Sequence, residues 1–522
     1  MIRRLRKKIA AERTGVLLAL TSALLLIFAF PPFEWWFTAW FAFVPLLLAI
    51  ERERESIFKS FVLGWLFGNV FFFGTCWWLT FAPINYAGFP RPLAYFLLFI
   101  VTSAAAIFPG IFAAATARLL MRYGSSAFLS VPFVWVFTEF ARYWLTGNNW
   151  NAVGYSQAFS EPLIFVSKAG GVLLVSWFCI FVSSALLLVF SQRTLKQILV
   201  GSIPIGIWLA GILLLSFFVD SIRSIAKNDR SATVVALQPN VPMSGLTFEK
   251  WRELRLRHID LAESALAESK GRPATDRRLP TIVIFPESPM NFMYEDDPET
   301  KSFIDGFAKK NNVSVLFNSA EPDRSNGKFF NSAVMVDQQG REVAQYDKIY
   351  LLPFGEAVPV PFESFVPVFV GSFSYGSEHD LFPLGDAKAG VMICFESHFG
   401  QLSREYAKNG ADVIIEMTND GYLGPTPVLR QHLANAVFRA VETNRPVLRV
   451  TNVGITAYIN ERGEVLDAAP VYTEDMRVWS VAKSDGSQTF YVKYGDWFAW
   501  LCSIVSLWLL GYTFFRRGRP SI

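Results

Sequence analysis

Three strings in the C-terminal half of this 522-residue chain each place an ionisable side chain at the end of an apolar run. Glu287 closes TIVIFPE, Lys348 precedes IYLLPFGE, and Cys394 closes AGVMIC. A thiol becomes a nucleophile on losing its proton; a carboxylate can accept that proton and an ammonium favours the thiolate. The ammonium has a second use, holding the oxyanion that forms when sulfur attacks an ester or amide carbonyl. Glu, Lys and Cys together would suffice for covalent acyl chemistry. Taken singly, each has a plainer role: a cysteine at a strand end is commonly a small buried hydrophobe, and a lone Glu or Lys a surface or ion-paired group. His398, four residues after Cys394, raises a Cys-His hydrolase, but no third orienting residue stands in a recognisable pattern. His258, His379, His398 and His432 lack metal-ligand spacing, so no metal is expected.

The elements that must position these residues alternate between short β-rich runs and helical stretches, which indicates a layered α/β domain whose strand ends converge on a crevice. Strands are expected at ATVVALQ, TIVIFPE, VSVLFNS, NSAVMVD, AGVMICFE, ADVIIEMTN, RPVLRVTN and ITAYINERGEVLD. Helices are expected over 247–269, 298–310, 400–409 and 427–444, and GRPATDRRLP reads as a surface loop.

The rest of the chain is different in kind. The sequence is 52% hydrophobic, and seven apolar segments precede the α/β part, at 14–30, 36–50, 58–81, 93–120, 127–145, 163–190 and 197–219. An eighth, 497–515, follows it. Most approach the ~20 residues a helix needs to cross a bilayer. The second is short enough to be re-entrant. The fifth holds Glu139 and Arg142, whose spacing suggests an ion pair within one helix. The basic N-terminus followed by an apolar run reads as a retained first helix rather than a cleaved signal, because no small-residue cleavage site follows. Domains are therefore expected at 1–219 (about seven membrane helices), 220–495 (catalytic) and 496–522 (last helix and basic tail).

Charge is divided the same way. Residues 220–495 carry 29 Lys/Arg against 36 Asp/Glu, a net of −7, whereas the remainder carries 19 against 8, a net of +11. A basic excess confined to the apolar part argues for membrane orientation and against nucleic acid. If all eight segments span, Arg3, Arg4, Arg6, Lys7, Lys8, Arg52, Arg54, Lys59, Arg118, Arg122, Arg193, Lys196, Arg516, Arg517 and Arg519 share one side, the cytoplasmic one. Residues 220–495 then face away from the cytoplasm. The loop tryptophans Trp35, Trp36, Trp77, Trp78, Trp144 and Trp150 read first as an interfacial belt and second as a lipid-entry surface.

The strings FPES, YDKIYLLPFGE and MICFE, in that order, resemble the Glu, Lys and Cys motifs of the nitrilase superfamily, and TNDGYLG, FRAVETNRP and TNVGITAYINERG resemble its site-closing segments. With the apolar N-terminal half and the terminal helix, the whole chain resembles one branch, the apolipoprotein N-acyltransferases. The resemblance implies an αββα sandwich outside the cytoplasmic membrane and an acyl donor that is a membrane phospholipid. The implied acceptor is the α-amine of an S-diacylglyceryl cysteine at a lipoprotein's N-terminus, and the enzyme is expected to act as a monomer without a cofactor. Carried over, Glu287 is the general base, Lys348 the oxyanion stabiliser, Cys394 the nucleophile, and Glu356 and Glu396 supporting carboxylates. Two departures stand out: Phe395 follows the nucleophile where relatives carry Tyr, and after QPNVP the family's aromatic falls on either Phe248 or Trp251.

A thioester must be shielded from water, and the segments 362–375 and 422–429 read equally as apolar lids or as segments that pack on the domain. A membrane-tethered amidohydrolase using the same triad is the alternative, though it would need only one anchor. A transporter or scaffold would favour ionisable residues deep within spans, and Glu139 with Arg142 is the sole such cluster in the sequence.

Overall fold

The computed structural model describes residues 2–160, 163–191, 230–269, 279–287, 292–358 and 373–515. Two compact units emerge, Met1–Ile225 with Tyr494–Ile522, and Ala226–Lys493.

The first unit is helical. Among the described residues, four stretches are long and apolar enough to cross a membrane: Ile57–Asn85, Arg91–Thr146, Leu163–Val189 and Trp497–Phe515, with a shorter apolar helix at Arg13–Phe28. The basic and apolar runs at the N-terminus form one helix, Ile2–Phe28. The expected second segment becomes a 3-10 turn, Trp36–Trp40, and an 11-residue helix, Phe43–Glu53, too short to cross alone. The expected 93–120 segment is broken into Arg91–Ala105 and Ile107–Tyr123. Pro109 explains the break, because it has no N–H for the Ala105 carbonyl and its ring crowds that carbonyl. Gly64 and Gly68, four apart on the helix Ile57–Cys76, let Pro109 approach; a Cβ on Gly68 would stand 2.7 Å from the proline ring. The segment 197–219 and the expected boundary at 220 lie outside the described residues.

Glu139 and Arg142 attract one another within one helix, as their spacing suggests, and do more besides. Both side chains are buried, and they bind the loop that follows their helix: Glu139 accepts from Val153 N at 2.8 Å, and Arg142 donates to Trp150 O and Asn149 Oδ1, each at 3.1 Å. Each charge thus satisfies loop groups that the bilayer core cannot. Of the six loop tryptophans, Trp35, Trp36, Trp77 and Trp144 are exposed, whereas Trp78 is buried against Trp150.

The second unit is an αββα sandwich. One sheet contains β1 (Arg230–Gln238), β2 (Thr281–Ile284), β3 (Ser314–Asp323), β4 (Lys328–Val336), β5 (Glu342–Asp347), β6 (Phe373–Ser374) and β13 (Asp475–Ala482), in the order β13-β1-β2-β3-β4-β5 with β6 beside β4. The other contains β7 (Leu381–Leu384), β8 (Ala387–Ile393), β9 (Val413–Thr418), β10 (Val447–Thr451), β11 (Ala457–Ile459) and β12 (Val465–Leu466), in the order β12-β11-β10-β9-β8-β7. Every expected strand string contains a strand, while β5, β6, β7 and β13 were not anticipated. Val235, Leu237, Val283 and Val315 alternate along the first sheet and pack with Leu254, Ala262, Ile304 and Phe307 of the helices Phe248–Ser269 and Pro298–Asn311. The intervening Val234, Ala236, Ile282 and Ile284 are buried on the opposite face, as a strand period of two requires. The helices Gly400–Lys408 and Val428–Thr443 serve the second sheet.

Candidate active site

The nucleophile residue is positioned by a buried strand that ends abruptly. Strand β8 runs to Ile393, and Cys394 opens a 3-10 turn, Cys394–His398, with a φ of 53°. A non-glycine residue in this region is strained, and such strain persists where surrounding contacts fix it. Of the four cysteines, Cys76, Cys179 and Cys502 are buried, and Cys394 is partly exposed.

Around it the strand ends converge. Lys348 Nζ, 1% exposed, donates to Glu356 Oε1 at 2.8 Å and stands 3.7 Å from Glu287 Oε1. The Glu287 carboxylate and the Lys348 ammonium both act electrostatically on the Cys394 thiol. Glu287 also accepts from Asn331 Nδ2 at 3.2 Å and from Asn419 N at 3.0 Å. Asn331 is shared, because its Nδ2 reaches Glu356 Oε1 at 2.6 Å while its Oδ1 accepts from Asn318. Glu356 Oε2 accepts from Leu352 N at 2.7 Å.

Glu396 is fully buried and ties two segments together. Its Oε2 accepts from Ile393 N at 2.8 Å; its Oε1 accepts from Ile349 N at 2.7 Å, Tyr350 N at 3.0 Å and the Tyr346 hydroxyl at 2.7 Å. The end of the nucleophile strand is thereby stapled to the residues flanking Lys348.

The electrostatics follow from burial and proximity. Burial pushes the Glu287 carboxyl above the ordinary carboxylate range, Lys348 opposing and Glu356 reinforcing. Burial alone would lower Lys348, but Glu356 and Glu287 outweigh it and hold the ammonium charged. Burial and the charge on Glu287 raise the Cys394 thiol, and the pull of Lys348 does not offset them. Lys348 favours the thiolate, as its charge requires, but burial and Glu287 outweigh it and the resting thiol is protonated. Glu396 is raised by burial to about 7, against Lys348 and its own donors.

The expected site residues thus gather at one place, and both halves of the chain match known families. Residues 22–185 match the model described as the apolipoprotein N-acyltransferase N-terminal domain, and residues 220–489 match the carbon-nitrogen hydrolase model. The apolipoprotein N-acyltransferase of Geobacter metallireducens is 30% identical over 517 residues, spanning 98% of this chain and 97% of that one. The chain belongs to the apolipoprotein N-acyltransferase family. Relatives of the same name in Pasteurella multocida (26% identical, 98% of each chain) and Allorhizobium ampelinum (30% identical, 88% of each chain) agree. As a member of that family with a nitrilase-type α/β domain, the protein is an acyltransferase.

Within this N-acyltransferase, several contact residues escaped the sequence reading. Asn331 lies inside β4, at the start of its apolar run, and Asn419 just past the end of β9, where a polar residue looks like an ordinary boundary. A missed signal is that both strings, NSAVMV and VIIEMTN, put Asn beside an otherwise apolar strand. Phe395 stacks on the His398 ring, centroids 5.6 Å apart, and meets Phe399 edge-on. His398 is thus held in an aromatic stack, and the charged groups acting on Cys394 include Glu287, Lys348, Asp420 and Arg449. Trp251 packs against the core between its helix and the first sheet. The side chain of Phe248 lies outside the described residues. Of the two candidate lid segments, most of 362–375 is likewise outside them. In 422–429, Val428 and Leu429 are buried and Tyr422 is half exposed.

Proposed function

We propose that this acyltransferase moves a fatty acyl chain from a membrane phospholipid to the α-amine of the S-diacylglyceryl cysteine at a lipoprotein's N-terminus. The observation that carries the reading is the Glu287–Lys348 ion pair acting on a partly exposed Cys394 in a chain of this family. In the first half-reaction the Cys394 proton passes to Glu287 as sulfur attacks the ester carbonyl, and Lys348 Nζ holds the oxyanion. The C–O bond breaks, Glu287 returns the proton to the lyso-phospholipid alkoxide, and a thioester remains on Cys394. The acceptor amine then attacks that carbonyl, loses its proton to Glu287, and the C–S bond breaks. The thiol regains the proton. Glu356 keeps Lys348 in place, and Glu396 fixes the spacing between Lys348 and the nucleophile turn.

With the turn Trp36–Trp40 and the helix Phe43–Glu53 crossing together as the second of eight segments, the basic residues share one side, which supports a multi-pass arrangement in the bacterial cytoplasmic membrane with both termini inside. Residues 220–495 would form a periplasmic catalytic domain between membrane regions 1–219 and 496–522, working as a monomer. Reporter fusions near residue 230 and after Ile522 should report opposite compartments; a common compartment would remove this topology.

The function is tested by intact-mass analysis. With phospholipid and no acceptor, the enzyme should gain one hydroxylamine-labile fatty-acyl mass, absent in Cys394→Ala and retained when Cys76, Cys179 and Cys502 are all replaced. A diacylglyceryl-cysteine peptide should then take up the acyl group on its amine. Release only as free fatty acid would make the protein a hydrolase.

A further inference from the structure

A second group of buried charges touches the nucleophile turn and takes no part in the steps above. Arg449, on β10 and fully buried, pairs through Nη1 with Glu416 Oε1 at 2.5 Å and through Nη2 with Asp420 Oδ2 at 2.7 Å. His432, on the helix Val428–Thr443, faces the same two acids. Its Nδ1 lies 2.7 Å from Asp420 Oδ1, and its Nε2 lies 3.1 Å from Glu416 Oε1 and 3.0 Å from the carbonyl oxygen of Cys394. Seven residues along the helix, Arg439 Nη1 donates to His398 O at 3.1 Å. One helix face therefore grips the carbonyls at both ends of the 3-10 turn Cys394–His398.

The chemistry of His432 follows from its neighbours. A neutral imidazole carries one N–H and one lone pair, yet both ring nitrogens here face oxygen acceptors. Only the imidazolium satisfies both. Burial and the nearby Arg449 charge disfavour that form, but Asp420 and Glu416 win and push His432 up to about 9. Both acids are held below the ordinary carboxylate range despite their burial. Charges on Glu416, Asp420, Arg449 and His432 then cancel. A neutral His432 would leave one uncompensated negative charge in the group that contacts Cys394, where a negative sulfur must develop.

We propose that His432 is a positioning residue for the nucleophile: its imidazolium holds the Cys394 carbonyl, and with it the left-handed backbone at Cys394, and balances the Glu416–Asp420 pair while the sulfur becomes anionic. This rests on the reading of Cys394 as the acylated nucleophile. The groups facing His432 are Glu416 from β9, Asp420 from the turn after it, and Arg449 from β10; those acting on Cys394 include Glu287, Lys348, Asp420 and Arg449.

The test measures Cys394 acylation in the full-length enzyme by peptide mass spectrometry, from pH 6 to 10, with phosphatidylethanolamine vesicles. Expected for His432→Gln is acylation about 10- to 100-fold slower at neutral pH, the loss of one charged hydrogen bond. The phospholipid KM should stay within about twofold, and an alkaline decline near pH 9 in the wild type should vanish. Unchanged acylation with an unchanged pH profile overturns the proposal. Should the Gln variant fail to accumulate, hydrogen exchange at the imidazole C2 position of His432 in the wild-type chain decides. A midpoint well above the ordinary histidine value supports the proposal, and one near about 6.5 overturns it. Absence of any acyl group on wild-type Cys394 would instead sink the proposed function itself.

Discussion

Lys348 and Arg449 are both buried cations set between two carboxylates, and both groups lie against Cys394, yet they differ in count and in access. Around Lys348 the acids Glu287 and Glu356 keep 14% and 13% of their side chains exposed, and one cation faces two anions. Around Arg449 the acids are at most 1% exposed, and His432 supplies a second cation. The first group is short of positive charge, so a carboxyl raised by burial and a protonated thiol can exchange a hydrogen. The second is balanced and closed, so its acids stay ionised. Similar residue types thus make a place where protons move and a place where they are pinned.

The largest effect should come from removing the mobile proton's acceptor. Glu287→Gln should lower turnover by about 10²- to 10⁴-fold, and Lys348→Met by about 10²- to 10³-fold, with membrane-inserted protein at wild-type amounts on immunoblots. Loss of protein with preserved specific activity would make these residues structural and erase the contrast.

The opposite pattern is expected at the closed group. Arg449→Met leaves Glu416 and Asp420 with one cation between them in a dry interior, which costs about 3–5 kcal/mol. Chemical denaturation of the purified chain, or its yield, should register that loss. A variant of normal stability that is merely slow would mean the group is not the rigid support described here.

Two pH effects of smaller size sharpen the comparison. Because Glu287 must be ionised to act and burial raises it, kcat/KM should fall as pH drops through a value above the ordinary carboxylate range, and an acid limb near about 4.3 would contradict this. His432 has the reverse sign. Its folded value of about 9 exceeds the ordinary 6.5, so its contribution to stability is complete below about 6.5 and is lost as pH rises through about 9. The melting temperature of the wild type should therefore decline over that window more steeply than that of His432→Gln.

The difference between the groups also marks what the sequence can reveal. Glu287, Lys348 and Cys394 are legible because each sits beside an apolar run, and a strand end projects its side chain toward a crevice. Asn331 becomes a shared donor only through the pairing of β3 with β4, where it lies opposite Ala320. His432 and Arg449 reach the nucleophile across other elements, and inside VLRQHLANAV or PVLRVT they read as ordinary helix and strand polar residues. Strand β13 was hidden for a related reason: DMRVWSVA mixes charges with apolar residues, and only its antiparallel pairing with β1 makes it a strand. The break at Ala106 shows the converse, since unbroken apolar content concealed what Pro109 does to a helix.

That same pairing of β1 with β13 bears on how the molecule is made. Val234 lies beside Trp479, so the first strand of the α/β unit to leave the ribosome must wait for the last before its outer edge is covered. Until then it presents bare backbone donors and acceptors to any passing strand. Synthesis at about 5–20 residues per second makes that wait many seconds long. Biogenesis of this enzyme should therefore depend on holding chaperones during elongation, and chains truncated before residue 475 should be cleared by proteases rather than accumulate as a partly working domain.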